Sequence, residues 1–190
     1  IAIGAIGSAD DAVCLARSAG GAALLAVWGR HRAMTVYLGL GSNCGDRAGH
    51  LTDAISELDS LDRITVSSGS AFLETAPVGP VEQPDFLNAV VALETTLSPR
   101  RLLETCLDVE QHHGRNRSVE QRWGPRTLDL DILLFDDMIV REPGLVIPHP
   151  ELADRVFVLE PLCQIAPDVI HPVSGETIAA MLRSSLRRTL

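Results

Sequence analysis

Asp129 and Asp131 stand two residues apart in an apolar run, Leu128 to Phe135, that reads as a β-strand. Strand alternation sets both carboxylates on one face and Leu128, Leu130 and Ile132 on the other. Two like charges so close raise each other's pKa unless a cation lies between them, and Mg²⁺ is commonly held by one or two carboxylates together with substrate phosphates. The pair alone is also what the solvated face of an edge strand presents. Its neighbours favour the first reading. Arg115, Arg117, Arg122 and Arg126 precede it, with Glu120 as the only acid between them. Guanidinium forks suit phosphate oxygens, so the segment offers arginines for the outer oxygens and aspartates for the metal of a metal-triphosphate complex. The competing expectation is a solvated loop whose arginines pair with nearby acids.

Gly39-Leu40-Gly41-Ser42-Asn43-Cys44-Gly45 has the glycines of a dinucleotide-binding turn, but Cys44 stands where the third glycine belongs. A tight turn that lets backbone approach a ligand fits equally well. Phe86, Trp123 and Phe157 are candidate stacking surfaces in a chain with only 4 % aromatic residues, although a phenylalanine in an apolar strand is usually core.

Composition narrows the chemistry. No lysine occurs in the 190 residues. Walker-type phosphate loops, protein-kinase strand lysines and Schiff-base catalysis are therefore excluded. A formal net charge of -9 argues against non-specific nucleic-acid binding, so any polyanion must be met locally. The four cysteines (Cys14, Cys44, Cys106, Cys163) form no CxxC pair, which points to a reducing, cytoplasmic compartment rather than a disulfide or zinc framework. The Ala/Gly-rich run from Ala19 to Val27 is too short to span a bilayer.

The elements that must position these groups begin at Met34. Residues 1–33 are expected outside the core, as disordered or gene-boundary sequence or the tail of a fused domain, and residues 34–190 as the functional domain. A strand from Thr35 to Leu40 breaks at Gly41-Ser42-Asn43. Leu51, Ala54, Ile55, Leu58 and Leu61 then recur at helical spacing after a possible cap at Asp46. Strands over Ile64–Phe72 and Phe86–Thr95 flank a Pro/Gly-rich loop, Glu74–Asp85. Ser98-Pro99 caps a second helix running to Gly114, and Leu128–Phe135 is the next strand. A short helix near Pro150–Asp154, a strand-like piece around Val156–Leu159 and a helix from Thr177 to about Leu186 complete the reading. The order strand, helix, strand, strand, helix, strand predicts an α+β, ferredoxin-like fold: an antiparallel sheet flanked by helices.

Together these features resemble the 6-hydroxymethyl-7,8-dihydropterin pyrophosphokinases from Met34 to about Leu186. The resemblance rests on Gly41-Ser42-Asn43, Thr75 with Pro77 to Asn88, Glu110 to Arg117, Arg122-Trp123 through Asp131, and Pro148-His149. It implies that ATP donates its terminal diphosphate to the pterin hydroxymethyl group and that AMP leaves. Asp129 and Asp131 would hold two Mg²⁺ ions, and Arg117, Arg122 and Arg126 would clamp phosphate. Glu110, Ile132, His149 and Arg155 would surround the ATP. Phe86 and Phe157 would sandwich the pterin, Thr75 and Val78 would offer it backbone groups, Asn88 would bond its polar edge, and Trp123 would ride on a closing loop. Ala76, Phe86, Leu107, Gly144 and Val146 depart from the commoner family residues, and Ser118–Gln121 is one residue longer. The implied partners are ATP and a reduced pterin, with no nucleic acid or membrane, and a fused or adjacent folate-pathway enzyme. Two rivals stand beside this reading: a ferredoxin-like binding or regulatory module without catalysis, and a Rossmann-type oxidoreductase, which lacks both its third glycine and its parallel repeats here.

Overall fold

A computed structural model describes residues 14–17, 23–26, 32–78, 81–115, 117 and 124–189. Strands β1 (Cys14–Arg17) and β2 (Ala23–Ala26) pair antiparallel in a two-stranded sheet of their own. The chain then runs through β3 (Met34–Ser42), α1 (Arg47–Ser60), β4 (Ile64–Gly69), β5 (Leu73–Thr75), β6 (Phe86–Thr95), α2 (Pro99–His112) and β7 (Asp129–Phe135). It continues as β8 (Val140–Glu142), β9 (Leu145–Ile147), a single 3₁₀ turn at Leu152–Asp154, α3 (Val156–Ile165) and α4 (Ile178–Thr189).

The main sheet has the strand order β4-β6-β3-β7, with β5 also paired to β6 and every pairing antiparallel. This is the ferredoxin-like arrangement, in which each β-α-β crossover skips the strand lying between its ends. Both faces of the sheet are covered. Leu38, Leu40, Leu130 and Ile132 pack with Leu51, Leu58, Leu102 and Val109 on one side, where α1 and α2 lie. Val90, Leu133 and Leu134 pack with Leu159, Leu162, Ile178 and Met181 of α3 and α4 on the other. Double coverage explains why Phe86–Thr95 reads as a nearly unbroken apolar run rather than an alternation.

The helix starts follow the sequence signals. The Asp46 carboxylate accepts the Gly49 N–H at 3.0 Å, and the Ser98 hydroxyl accepts from Arg101 with Pro99 in the first turn. At their far side the two helices are joined through Glu57, which meets His112 Nδ1 at 2.7 Å and His113 Nε2 at 3.4 Å. His113 Nδ1 lies 3.3 Å from His50 Nδ1.

Three local expectations need correction. Val156–Leu159 is the first turn of a helix, not a strand. Val158, Leu159 and Leu162 fall on one side of α3 and enter the second core, so tertiary burial overrides the β-branched start and the internal Pro161. Strand β4 ends at Gly69, short of the expected Phe72, and β5 takes Leu73 with the first two residues of the expected loop by pairing Thr75 with Phe86, so the described part of the loop is residues 76–78 and 81–85. The sequence pattern does not announce the hairpin of three-residue strands, β8 and β9. It turns at Gly144 with φ +75°.

Candidate active site

The carboxyl end of β3, the start of β6 and the start of β7 meet under a cavity of about 1050 Å³. Gly39 and Gly41 of β3 form part of its floor. A Cβ at Gly41 would stand 3.2 Å from Asn88 Oδ1 and 3.8 Å from the Phe86 ring, so a glycine here lets two lining side chains share the floor. Gly41→Ala is expected to leave the fold intact and to weaken binding of any ligand seated against Asn88 and Phe86. Titration calorimetry of the variant with each substrate checks this, and equal affinity for both would refute it.

Strand β7 places Asp129 and Asp131 toward the cavity and Leu130 and Ile132 into the first core, as alternation requires. The two carboxylates differ sharply. Asp129 accepts from Arg115 Nη1 and, at 2.7 Å, from Arg126 Nη1. Burial alone would raise its pKa, but Arg126 and Arg115 more than offset that and hold the carboxyl below its ordinary range. Asp131 has looser partners, Arg155 at 3.5 Å and His149 at 3.9 Å. Burial and then the Asp129 charge push its pKa up against the pull of His149 and Arg155. His149 is itself shifted down by burial, with Asp131 acting in the opposite sense. Its Nδ1 accepts the Glu151 N–H, which leaves Nε2 facing Asp131.

Behind Asp129 lies a buried charge network. Glu110, only 1 % exposed, accepts from Arg115 at 2.6 Å, from both the Nε and Nη2 of Arg117, and from the backbone N–H of Leu130 at 2.8 Å. Burial pushes its carboxyl upward while both arginines pull it down. Arg115 bridges Glu110 and Asp129, donates to Leu128 O, and is 7 % exposed. The last turn of α2 is thus tied directly to β7.

Asn43, 2 % exposed, links two loops to the end of β3. Its Nδ2 donates to Gln83 Oε1 and Pro84 O, its Oδ1 accepts the Arg126 N–H, and its own N–H donates to Arg126 O. On the opposite wall, Asn88 Nδ2 donates to Thr75 Oγ1 at 2.8 Å. Two aromatic rings line the cavity with a guanidinium carbon over each: Arg126 over Phe86 and Arg155 over Phe157, both at 5.8 Å from the centroid.

The sequence-derived residues therefore fall in three groups. Thr75, Val78, Phe86, Asn88, Arg117, Arg126, Asp129, Asp131, His149, Arg155 and Phe157 all line the one cavity. Glu110 and Ile132 sit behind its wall. Arg122 and Trp123 lie outside the described residues. Arg115, named among four arginines for phosphate oxygens, instead turns inward to Glu110 and Asp129, and Asn43 and Gln83 make contacts that the motifs around them do not announce. Arg115 stood in the basic segment and Asn43 in the strand-end motif, but nothing in spacing alone says which arginine turns inward.

Among the described residues, no three His, Cys, Asp or Glu side chains form a ready cation cage. Two carboxylates on one strand face, one of them disfavoured as an anion by burial and its neighbour, suit a cation that draws its other ligands from water and phosphate oxygens. Mg²⁺ fits that donor set.

Residues 37–167 match the family model described as 7,8-dihydro-6-hydroxymethylpterin-pyrophosphokinase. The chain is 46 % identical over 146 residues to a 2-amino-4-hydroxy-6-hydroxymethyldihydropteridine pyrophosphokinase of Methylorubrum extorquens, covering 77 % of this chain and 90 % of the relative. Identity to the protein of the same name from Bacillus subtilis is 45 % over 133 residues, 70 % of this chain and 78 % of that one. The crystal structure of Plasmodium falciparum HPPK-DHPS has the same fold, with a TM-score of 0.65 at 15 % identity. That similarity covers 85 % of this chain but only 46 % of the longer protein.

Proposed function

The chain belongs to the 7,8-dihydro-6-hydroxymethylpterin-pyrophosphokinase family, and from that premise we propose how its own residues carry the reaction. It transfers diphosphate from ATP to the hydroxymethyl group of 6-hydroxymethyl-7,8-dihydropterin, giving AMP and the pterin diphosphate, in folate biosynthesis. The observation that carries the assignment of roles is the joint presence, in one cavity, of the Asp129 and Asp131 carboxylates on one strand face, the guanidinium groups of Arg115, Arg117, Arg126 and Arg155, and the rings of Phe86 and Phe157.

The pterin lies between Phe86 and Phe157, with its polar edge against Asn88 and backbone groups of Thr75 and Val78. The Asn88–Thr75 hydrogen bond fixes which amide atoms remain for the ligand. The triphosphate lies along β7. Arg117 and Arg126, with Arg122, take its oxygens, while His149 and Arg155 line the nucleotide end. Glu110 works from behind by holding Arg115 and Arg117. Asp129 and Asp131 hold Mg²⁺, one ion or two, which when bound neutralises charge on the transferring phosphates. The hydroxymethyl oxygen forms its bond to the β-phosphorus. The bond from that phosphorus to the bridging oxygen of the α-phosphate breaks, AMP leaves with that oxygen, and the hydroxyl proton is released. The chain's contribution is alignment and charge stabilisation, so no covalent nucleophile is required.

The domain boundary is part of the same proposal: residues 34–190 carry the activity, in a cytoplasmic enzyme that acts beside or fused to another folate-pathway enzyme. Among the described residues no helix is long and apolar enough to cross a membrane. The test is AMP release from Mg²⁺-ATP with and without 6-hydroxymethyl-7,8-dihydropterin, for the full chain and for a chain beginning at Met34. Both are expected to form AMP only when the pterin is present, and ADP formation or pterin-independent turnover would refute the reading. Loss of activity in the shorter chain alone would move residues 1–33 into the functional unit.

A further inference from the structure

One guanidinium brackets the mouth of the β5–β6 hairpin. Arg47, the first residue of α1, donates from Nη1 to Asp85 O at 2.7 Å and pairs through the same nitrogen with Glu74 Oε1 at 2.8 Å. Glu74 and Asp85 lie on the two arms of the hairpin, either side of the last paired residues, Thr75 and Phe86. The stem of Arg47 is anchored because Asp46 caps the turn it begins. Residues 76–78 and 81–85 of the intervening loop include Val78 and Gln83, which line the cavity, while Arg47, Glu74 and Asp85 do not.

We propose that Arg47 is a positioning residue for the pterin: it fixes the separation of the hairpin arms and thereby the placement of Thr75, Val78 and Phe86, without touching either substrate. This rests on the pterin assignment above. The bond to Asp85 O carries most of the effect. It is a charge-assisted hydrogen bond to a backbone atom, whereas the pair with Glu74 joins a half-buried guanidinium to an exposed carboxylate, which gains little from ion pairing. With Arg47 removed, the described contacts that still hold the arms are the β5–β6 ladder, the Asn88–Thr75 hydrogen bond and the grip of Asn43 on Gln83 and Pro84.

The experiment is steady-state kinetics on the full chain for wild type, Arg47→Ala, Arg47→Lys and Glu74→Gln, varying ATP and 6-hydroxymethyl-7,8-dihydropterin in turn. Arg47→Ala should raise the KM for the pterin about tenfold, the worth of one charge-assisted hydrogen bond. The KM for ATP and kcat should stay within about twofold, since Arg47 does not line the cavity that Arg117, Arg126 and Arg155 enter. Arg47→Lys should recover part of the loss, and Glu74→Gln should stay close to wild type. An unchanged pterin KM in Arg47→Ala, or an equal rise in both KM values, overturns the inference while leaving the reaction in place. Failure of wild type to form pterin-dependent AMP is a different outcome and overturns the functional assignment on which the inference rests.

Discussion

Asp131→Asn is expected to reduce pterin-dependent AMP formation by on the order of 10²–10³ or more, the scale on which single transition-state charge contacts act, while the protein keeps or gains thermal stability. The two halves of this outcome have one cause. Burial and the Asp129 charge raise the pKa of Asp131 above its unfolded value. For such a group, stability is full below the unfolded pKa, about 3.9, and is lost as pH rises through the higher folded value. The Asp131 side chain is 39 % exposed, so water screens much of this loss, and an amide of the same shape should leave the Tm near or slightly above that of wild type. The carboxylate is retained because it is what the cation and the phosphates need. AMP assays combined with melting curves in a chelator check both halves. A variant with full activity would dismiss Asp131 as a metal ligand, and one with a sharply lower Tm would show the charge to be structural.

Glu110→Ala should act through stability, costing about 3–5 kcal/mol as a shift in the urea midpoint. Glu110 is buried with its own pKa raised, so the ion pairs around it do not make it a net source of stability. Removing it is nevertheless severe. Arg115, almost wholly buried, would lose one of its two described carboxylate partners, and the Leu130 N–H in the core would lose its acceptor. Glu110→Gln keeps an acceptor for Leu130 and should cost clearly less. If the two substitutions were equally damaging, the backbone bond would be irrelevant and charge alone would matter. If neither were damaging, the network behind β7 would be replaceable by water.

The parts of the molecule that could be read from sequence are those governed by local rules. Asp46 and Ser98-Pro99 announce their helices, and the alternation about Asp129 and Asp131 gives the face of β7 directly. The run Val156–Leu159 misleads because its β-branched residues state a weak preference that the second core overrules. The three-residue strands β5, β8 and β9 carry too little pattern to be seen before their partners are in place. The site divides in the same way. Residues that line the cavity come from motifs contiguous in the chain. The cross-links that hold it, the lining Arg115 between Glu110 and Asp129 and Asn43 between residues 83–84 and 126, depend on distances across the fold that no local spacing encodes.

The glycine floor on β3 has one further consequence. Where Gly39 and Gly41 pass beneath the cavity, the ligand faces main chain locked between two hydrogen-bonded neighbours. No rotor is stilled there when a ligand arrives, so the entropy lost on binding is concentrated in the lining side chains, the long arginines above all. The floor contributes shape at almost no thermal cost, and adaptation to successive ligands is left to the walls.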